Sequence, residues 1–98
     1  MNVYVASMSR FGPLWQDVRT QWSQRGIRVV STWIDESGPG ESDMAALWSR
    51  CVAEAAGCDA LVAVHNPGDQ WKGAFVEIGA ALAGGARVLI VGQPDGSW

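Results

Sequence analysis

The chain has 98 residues, of which 48% are hydrophobic and 17% are charged, and its formal net charge is −3. This length allows one domain, and the composition is typical of a compact globular core rather than a disordered tail. The acidic balance and the lack of any lysine- or arginine-rich run argue against binding to a nucleic-acid polymer, which needs a basic surface.

No apolar run reaches the ~18 residues that a membrane span needs. Met1 leads straight into a strand-like run, without the basic segment that opens a secretory signal. Cys51 and Cys58 lack CxxC spacing and nearby histidines, so we expect two reduced cysteines in the core. We therefore expect a cytoplasmic protein without membrane contact.

The first half of the chain alternates between strand and helix patterns. Residues 2–6 form a short apolar run, which predicts a buried strand. A helix is predicted to begin at Pro13 and to end at Gly26, which suits a C-cap. Residues 27–34 then predict the second strand, and residues 35–42 have the composition of a loop.

The second half repeats the alternation. Ser42 or Asp43 can cap a helix that ends at Gly57, and residues 59–65 predict the third strand. A loop over residues 66–72 precedes a third helix, which ends at Gly84 and the next glycine. The fourth strand is predicted at residues 87–92, and residues 93–98 form a short polar tail.

This element order predicts one α/β domain over residues 1–98. Near-continuous apolar strands that alternate with helices indicate a parallel sheet covered on both faces, a three-layer flavodoxin-like or Rossmann-like sandwich. Right-handed crossovers give about four strands in the order 2-1-3-4. Ligands of such sheets bind at the carboxyl ends of the strands, where residues 6–11, 33–41 and 65–73 meet.

One acidic residue stands out in the third helix. Residues 73–86 read GAFVEIGAALAGGA, in which Glu77 carries the only polar side chain. This composition predicts a helix that is buried on nearly every side. An ionised carboxylate there costs several kcal/mol, in order of magnitude, unless a structural partner or a pocket accommodates it. The polar loop just before the helix favours the pocket.

Polar and aromatic residues follow the three strands that converge on this edge. They are Ser7, Ser9 and Arg10 after the first strand, Trp33 and Asp35 after the second, and His65, Asn66, Asp69, Trp71 and Lys72 after the third. Such a rim is typical of a small-molecule site. Several members also have structural interpretations: His65 as a satisfied strand-end histidine, Asp35 as an Asx turn, and Trp71 as a cover of the core.

Motifs for common cofactors are absent from the sequence. The segment after the first strand, ASMSRFG, lacks GxGxxG, and there is no Walker A motif. One histidine and scattered acids do not provide metal-ligand spacing. We therefore expect neither a cofactor nor a metal ion.

The sequence resembles the nucleoside 2-deoxyribosyltransferase-like superfamily, which includes N-glycosidases of deoxynucleoside 5′-monophosphates. The resemblance covers most of the chain and is strongest at residues 3–6, VYVA, and at residues 66–92. Gly73 four residues before the glutamate, the step from Glu77 to Gly79 and the alanine-rich turn match the family motif. The resemblance implies an enzyme of nucleotide metabolism and salvage.

The resemblance also implies residue roles. Glu77 would attack C1′ of a 2′-deoxynucleoside and form a covalent ester, and Tyr4 would orient it. A place near a helix N-terminus would keep Glu77 ionised. The aspartate that members of the family often carry six residues before the nucleophile is replaced by Trp71, which leaves two alternatives: Asp69 takes over its catalytic role, or Trp71 stacks on the base. The substrate contacts implied at the rim are Ser7, Met8, Ser9, Arg10, Trp33, Asp35, Asn66, Trp71 and Gly73.

Alternative functions stay open at this stage. A 2′-deoxynucleoside 5′-monophosphate N-hydrolase would hold the phosphate with Ser7, Ser9 and Arg10. A nucleoside- or nucleotide-binding protein without turnover would fit the missing acid at Trp71. The longer transferases borrow C-terminal residues from a neighbouring subunit, whereas this sequence ends at Trp98. Six tryptophans in so short a chain predict a homodimer or larger homo-oligomer.

Overall fold

A computed structural model describes residues 1–36, 44–69 and 71–92 of the chain. Its strands are β1 (Asn2–Ala6), β2 (Arg28–Val29), β3 (Ala60–Val64) and β4 (Arg87–Val91), and its helices are α1 (Gly12–Ser23), α2 (Met44–Ala56) and α3 (Gly73–Ala83). Short 3₁₀ helices lie at Ser9–Phe11 and Thr32–Asp35. The predicted cap at Ser42 or Asp43, most of the loop at 35–42 and the tail at 93–98 lie outside the described residues.

The four strands form one parallel sheet in the order β2-β1-β3-β4, which confirms the predicted α/β class and topology. In the central pair, Tyr4 lies opposite Leu61 and Val5 opposite Val62. Since side chains alternate between the two faces of a strand, Tyr4 and Leu61 share one face, and both are fully buried. The close neighbours α2 and α3 pack on this side, and α3 contacts both β3 and β4.

The second strand is much shorter than predicted. We expected it to span residues 27–34, but it covers Arg28–Val29 and gives way to the 3₁₀ helix at Thr32–Asp35. Beyond that point, side chains replace the backbone hydrogen bonds between β1 and β2. Ser31 Oγ accepts a 2.6 Å hydrogen bond from the Val5 amide. The indole Nε1 of Trp33 donates a 2.8 Å bond to the Val5 carbonyl. With both backbone groups of Val5 satisfied, the strand is free to turn away from the sheet.

The expectation that α3 is buried on nearly every side is wrong. Only Ala81 is buried along this helix, whereas Val76 is 50% exposed and Leu82 59%. A helix that packs on a sheet buries one face, and α3 lies over the strands β3 and β4 at one edge. Just after its last residue, Gly84 lies so close to the end of α2 that an added Cβ would be 2.2 Å from the Ala56 carbonyl oxygen.

The tryptophans of the helices differ in environment. Trp15 is buried and packs edge-on against Trp22 at a ring distance of 6.1 Å. Trp48 of α2 is 42% exposed. The homo-oligomer expected from these residues stays a prediction. No helix within the described part of the chain has the length and apolar character to cross a membrane.

Candidate active site

Glu77 and Tyr4 meet on the face of the sheet that α3 covers. Glu77 is the fifth residue of α3, and Tyr4 stands in the middle of β1, a central strand. The Tyr4 hydroxyl donates a 2.5 Å hydrogen bond to Glu77 Oε2. The bond leaves the second carboxylate oxygen, Oε1, outside this pairing. The structure thus brings together the two residues to which the resemblance gave the central roles.

Burial controls the electrostatics of this pair. It raises the pKa of Glu77, the hydrogen bond from Tyr4 lowers that pKa, and the charge of Glu54 raises it. The net direction is upward, opposite to the expectation from a helix N-terminus, because the dipole effect fades beyond the first turn. Burial and the Glu77 carboxylate raise the pKa of Tyr4 far above its usual value. The hydroxyl therefore stays protonated and acts as a donor.

Glu77 lines two cavities. The first, which we call the Trp48 cavity, has a volume of about 190 Å³, and its described lining is Ser7, Ser9, Trp33, Leu47, Trp48, Cys51, Gly73 and Glu77. The second, the Lys72 cavity, measures about 300 Å³ and is lined by Ser7, Met8, Ser9, Trp71, Lys72, Gly73, Ala74 and Glu77. The two share four residues, so the carboxylate lies at their junction. Aromatic and aliphatic groups dominate the first cavity, and the second adds an ammonium group.

Gly73 determines how closely α3 approaches the wall of the Trp48 cavity. A Cβ at this position would lie 2.9 Å from Cη2 of Trp48 and 3.4 Å from Cζ3. The absence of a side chain therefore lets the indole ring lie over the first residue of α3. This contact places a large aromatic face within the same cavity as Glu77.

Ser7 brings an unsatisfied hydroxyl to the junction. Its Oγ is buried and has no hydrogen-bond partner among the described residues. Burial of a hydroxyl without a partner costs about 1–3 kcal/mol. Because Ser7 lines both cavities, a polar atom of a bound ligand can supply the missing bond.

Other predicted residues form the support of the site. Asp69 is buried and accepts hydrogen bonds from the Arg10 guanidinium at 2.5 Å and the Asn66 amide at 3.0 Å. These bonds hold its pKa below the usual range, although burial acts in the opposite direction. The ring of His65 bonds to the Asp69 backbone carbonyl at 2.8 Å and packs edge-on against Trp71. An ionised, fully paired carboxylate is poorly suited to donate a proton.

Asp35 lies apart from both cavities. It forms a two-pronged ion pair with Arg19 of α1, at 2.8 and 2.9 Å, on the exposed surface. Of the rim residues predicted from the sequence, the structure places Ser7, Met8, Ser9, Trp33, Trp71, Lys72, Gly73 and Glu77 in the cavity lining. Arg10, Asp35, His65, Asn66 and Asp69 are absent from both linings among the described residues.

The sequence analysis missed the contribution of α2. Leu47, Trp48 and Cys51 line the Trp48 cavity, although their spacing indicated only a core-facing stripe. A usable signal was their place in the first two or three turns of a crossover helix. Such a helix runs back from the carboxyl edge of a parallel sheet, so its first turns lie beside the ligand site. In the part of the chain that the structure describes, no three His, Cys, Asp or Glu side chains are grouped as a metal site.

Two solved structures share this architecture. The CMP N-glycosidase BcmB of Clostridium botulinum aligns with a TM-score of 0.66 at 16% identity, over 92% of this chain and 70% of that protein. The 2-deoxyribosyltransferase from Leishmania mexicana gives a TM-score of 0.66 at 18% identity, over 91% of this chain and 62% of that one. This chain shares the fold of these two proteins, which are members of the nucleoside 2-deoxyribosyltransferase-like superfamily.

The predicted resemblance to this superfamily is thereby confirmed at the level of the fold. Identities of 16% and 18% do not transfer residue roles, and the chain spans less than two thirds of the Leishmania protein. No family model matches the sequence, and no curated protein matches it. The assignment of chemistry therefore depends on the geometry around Glu77.

Proposed function

We propose that this chain is an enzyme that cleaves the N-glycosidic bond of a 2′-deoxynucleoside and passes the sugar to a second base or to water. The observation that carries the proposal is the Tyr4–Glu77 hydrogen bond at the junction of two cavities. A partly buried glutamate that lines two cavities and has one oxygen held by a tyrosine is suited to covalent chemistry at a sugar carbon. The shared fold supports the same class of reaction.

The proposed reaction has two displacement steps. In the first, Glu77 Oε1 forms a bond to C1′ while the C1′–N bond breaks and its electron pair leaves with the base. In the second, a nitrogen of another base or a water oxygen attacks C1′, and the ester bond returns its electrons to the carboxylate. The base takes up a proton as it leaves, and the attacking nucleophile loses one, so charge is balanced over the cycle.

The surroundings of Glu77 suit an oxocarbenium-like transition state. A carboxylate beside C1′ stabilises the positive charge that develops as the base departs, and it does so more strongly in a partly desolvated site. Tyr4 holds Oε2 at a fixed distance, which limits the rotation of the carboxylate. The indoles of Trp33 and Trp48 offer flat apolar surfaces in the first cavity, on which a nucleobase can stack.

The rim residues receive more limited roles in this proposal. Ser7 supplies a hydroxyl to the sugar, because its Oγ is buried at the junction without a described partner. Met8, Ser9, Trp71 and Gly73 contact the substrate through the cavity walls. Asp69 holds Arg10 and the turn at Asn66 rather than protonating the base.

Turnover assays on the wild-type protein test the proposal. The protein is incubated with deoxyinosine and adenine, and separately with deoxynucleoside 5′-monophosphates, and the products are separated by chromatography. Formation of deoxyadenosine identifies a transferase, and free base without exchange identifies a hydrolase. Tight binding of these compounds without any product would overturn the enzyme assignment in favour of a binding protein.

The role of Glu77 has its own variant. Glu77→Gln should abolish turnover and leave the circular dichroism spectrum unchanged, whereas Glu36→Gln serves as the control because its carboxylate pairs with Arg50 at 2.8 Å. Intact-protein mass spectrometry during turnover should detect a deoxyribosyl adduct on wild-type protein and none on Glu77→Gln. Full activity of Glu77→Gln would show that another group is the nucleophile.

A further inference from the structure

One wall of the Trp48 cavity comes from the 3₁₀ helix at Thr32–Asp35. Its Trp33 is buried and lines this cavity together with Trp48 of α2. The indole Nε1 of Trp33 donates a 2.8 Å hydrogen bond to the Val5 carbonyl, which fixes one edge of the ring. The orientation of the ring therefore also depends on where the backbone of the 3₁₀ helix lies relative to α2.

The cap of this 3₁₀ helix comes from another element. Ser31 occupies the N-cap position, but its side chain forms no cap bond, since its hydroxyl accepts the 2.6 Å bond from the Val5 amide. Glu54 of α2 supplies the cap instead. The Thr32 amide donates to Glu54 Oε1 at 3.2 Å, and the Thr32 hydroxyl donates to Oε2 at 2.7 Å. The carboxylate thus satisfies a backbone amide that the start of a helix leaves without a partner.

We propose that Glu54 is a positioning residue for the substrate, because its bonds to Thr32 fix the Trp33 indole relative to Trp48 and so set the room for a nucleobase. This inference rests on the proposed function, in which the base stacks in the Trp48 cavity. Glu54 is not part of the described lining of either cavity. It therefore acts through the 3₁₀ helix and does not touch the substrate.

The other end of the 3₁₀ helix is held separately. The Ile34 carbonyl accepts a 3.2 Å bond from the side chain of Gln16 in α1, and Glu36, just beyond the helix, pairs with Arg50 of α2 at 2.8 Å. The bonds of Glu54 act at the first residue of the helix, next to the indole. Their loss should therefore loosen the ring while the remaining contacts keep the helix in place.

Kinetics of Glu54 and Thr32 variants form the first test. Glu54→Ala should raise KM about fivefold with kcat nearly unchanged, because a loosened ring must be ordered again when the base binds. Thr32→Val removes the hydroxyl and keeps the Glu54 charge, and should raise KM about threefold. Glu54→Gln keeps a carbonyl acceptor and should restore KM to within about twofold of wild type.

Charge and position have separate readouts in these variants. The charge of Glu54 raises the pKa of Glu77, so Glu54→Ala and Glu54→Gln should both move the acidic limb of kcat/KM to lower pH. Thr32→Val keeps that charge and should leave the limb in place. The change in KM should instead be shared by Glu54→Ala and Thr32→Val, the two variants that lose bonds to the 3₁₀ helix.

Asp59→Asn is the matched control. The Asp59 carboxylate also accepts a hydrogen bond from a distant backbone amide, that of Asn2 at 2.7 Å, but it lies at the amino end of the strands, away from both cavities. Its KM should equal that of wild type. Equal rises in KM for Asp59→Asn and Glu54→Ala, or an unchanged KM in both Glu54→Ala and Thr32→Val, would overturn the inference.

A double-mutant cycle tests whether Glu54 acts through the indole. Once Trp33→Leu has removed the ring, Glu54→Ala should raise KM no further. Independent effects that multiply in the double variant would overturn the proposed route. Thermal melts run alongside confirm that each variant is folded at the assay temperature.

A measurement without substrate separates this inference from the proposed function. Nitrogen-15 NMR of labelled tryptophans follows hydrogen exchange at the Trp33 indole, with Trp33→Leu used to assign its resonance. Faster exchange in Glu54→Ala and Thr32→Val than in wild type and Asp59→Asn supports the positioning role even if no nucleoside is turned over, in which case only the proposed function fails. An active wild type whose indole exchange is the same in Glu54→Ala would overturn the role of Glu54 alone.

Discussion

The Tyr4 hydroxyl of β1 donates a 2.5 Å hydrogen bond to Glu77 Oε2 of α3, across 73 positions of the sequence. Burial opposes ionisation of this carboxylate, and the tyrosine favours it. The charge of Glu77 thus depends on a balance in which burial acts most strongly and the hydrogen bond from this hydroxyl opposes it. This dependence makes the tyrosine a sensitive point for both the pH response and the rate.

The first prediction concerns Tyr4→Phe. Loss of the hydroxyl removes a bond that stabilises the charged form of Glu77, so the pKa of that carboxyl should rise further. We expect kcat to fall about tenfold, consistent with a hydrogen bond to a charged group, and the acidic limb of kcat/KM to move to higher pH. Steady-state kinetics across pH measure both effects. An unchanged pH profile would show that the tyrosine does not control the charge of Glu77.

The second prediction concerns the stability of Glu77→Gln. The folded state raises the pKa of Glu77 above its ordinary 4.5. The neutral carboxyl therefore stabilises the folded protein at low pH, and this stabilisation is lost as the pH rises through the folded pKa. Glutamine does not ionise, and Glu77→Gln should be more stable than wild type at pH 7 by about 1.4 kcal/mol for every pH unit by which the folded pKa of Glu77 exceeds its unfolded pKa. The difference should vanish below the unfolded pKa. Urea titrations at several pH values measure it, and a constant difference at all pH values would contradict this account.

The third prediction concerns the unsatisfied hydroxyl of Ser7. Ser7→Ala removes a buried polar atom that has no partner among the described residues, so the variant should gain about 1 kcal/mol of stability. Its affinity for a nucleoside should fall about fivefold, because the ligand loses a hydrogen bond. Thermal melts and isothermal titration calorimetry measure the two effects.

Ser31→Ala is the matched control for Ser7. The Ser31 hydroxyl accepts a 2.6 Å hydrogen bond from the Val5 amide. Alanine leaves this buried amide unsatisfied and should destabilise the protein by about 1–3 kcal/mol. If Ser7→Ala is destabilised as much as Ser31→Ala, Ser7 has a protein partner and is not available to a ligand.

The fourth prediction tests whether Asp69 protonates the base. The Asp69 carboxylate is buried and paired with Arg10, and its pKa is lowered. The ionised carboxylate therefore stabilises the folded protein at neutral pH, and this stabilisation is lost as the pH falls through the folded pKa. Asp69→Asn should therefore lower the melting temperature at pH 7 and less so at acidic pH, with a loss of kcat under about tenfold. A loss of kcat of several hundredfold or more, without loss of fold, would instead support proton donation by Asp69.

Much of the fold was accessible from the sequence because its patterns are local. The strand at Asn2–Ala6 was predicted with the observed bounds, and the order 2-1-3-4 followed from the alternation of elements. The second strand was misjudged because its end depends on distant groups. The side chains of Ser31 and Trp33 form the hydrogen bonds to the Val5 backbone that a longer second strand would have formed. A propensity scale does not include such side-chain bonds.

The site was predictable where one residue contradicted its surroundings. Glu77 was prominent as the only polar side chain of its segment, and Tyr4 was proposed through the resemblance. The pairing of Asp69 with Arg10 was not predictable, because it links a loop to a 3₁₀ helix that is 59 positions away in the sequence. The cavity wall from α2 was missed because Trp48 and Cys51 satisfy the ordinary spacing of a core stripe.

The last prediction compares two glycines of α3. In Gly73→Ala, the new Cβ would lie 2.9 Å from Cη2 of Trp48, so the indole must move within its cavity. Because Trp48 is partly exposed, the ring can shift at little cost in stability, but it then offers a displaced face to the base. We expect KM to rise about three- to tenfold, the energy of one aromatic contact, together with a change in tryptophan fluorescence. Gly79→Ala meets no atom within 4 Å, and should leave KM unchanged while stabilising the helix by about 0.5–1 kcal/mol. Equal kinetics for the two variants would show that the Trp48 face takes no part in binding.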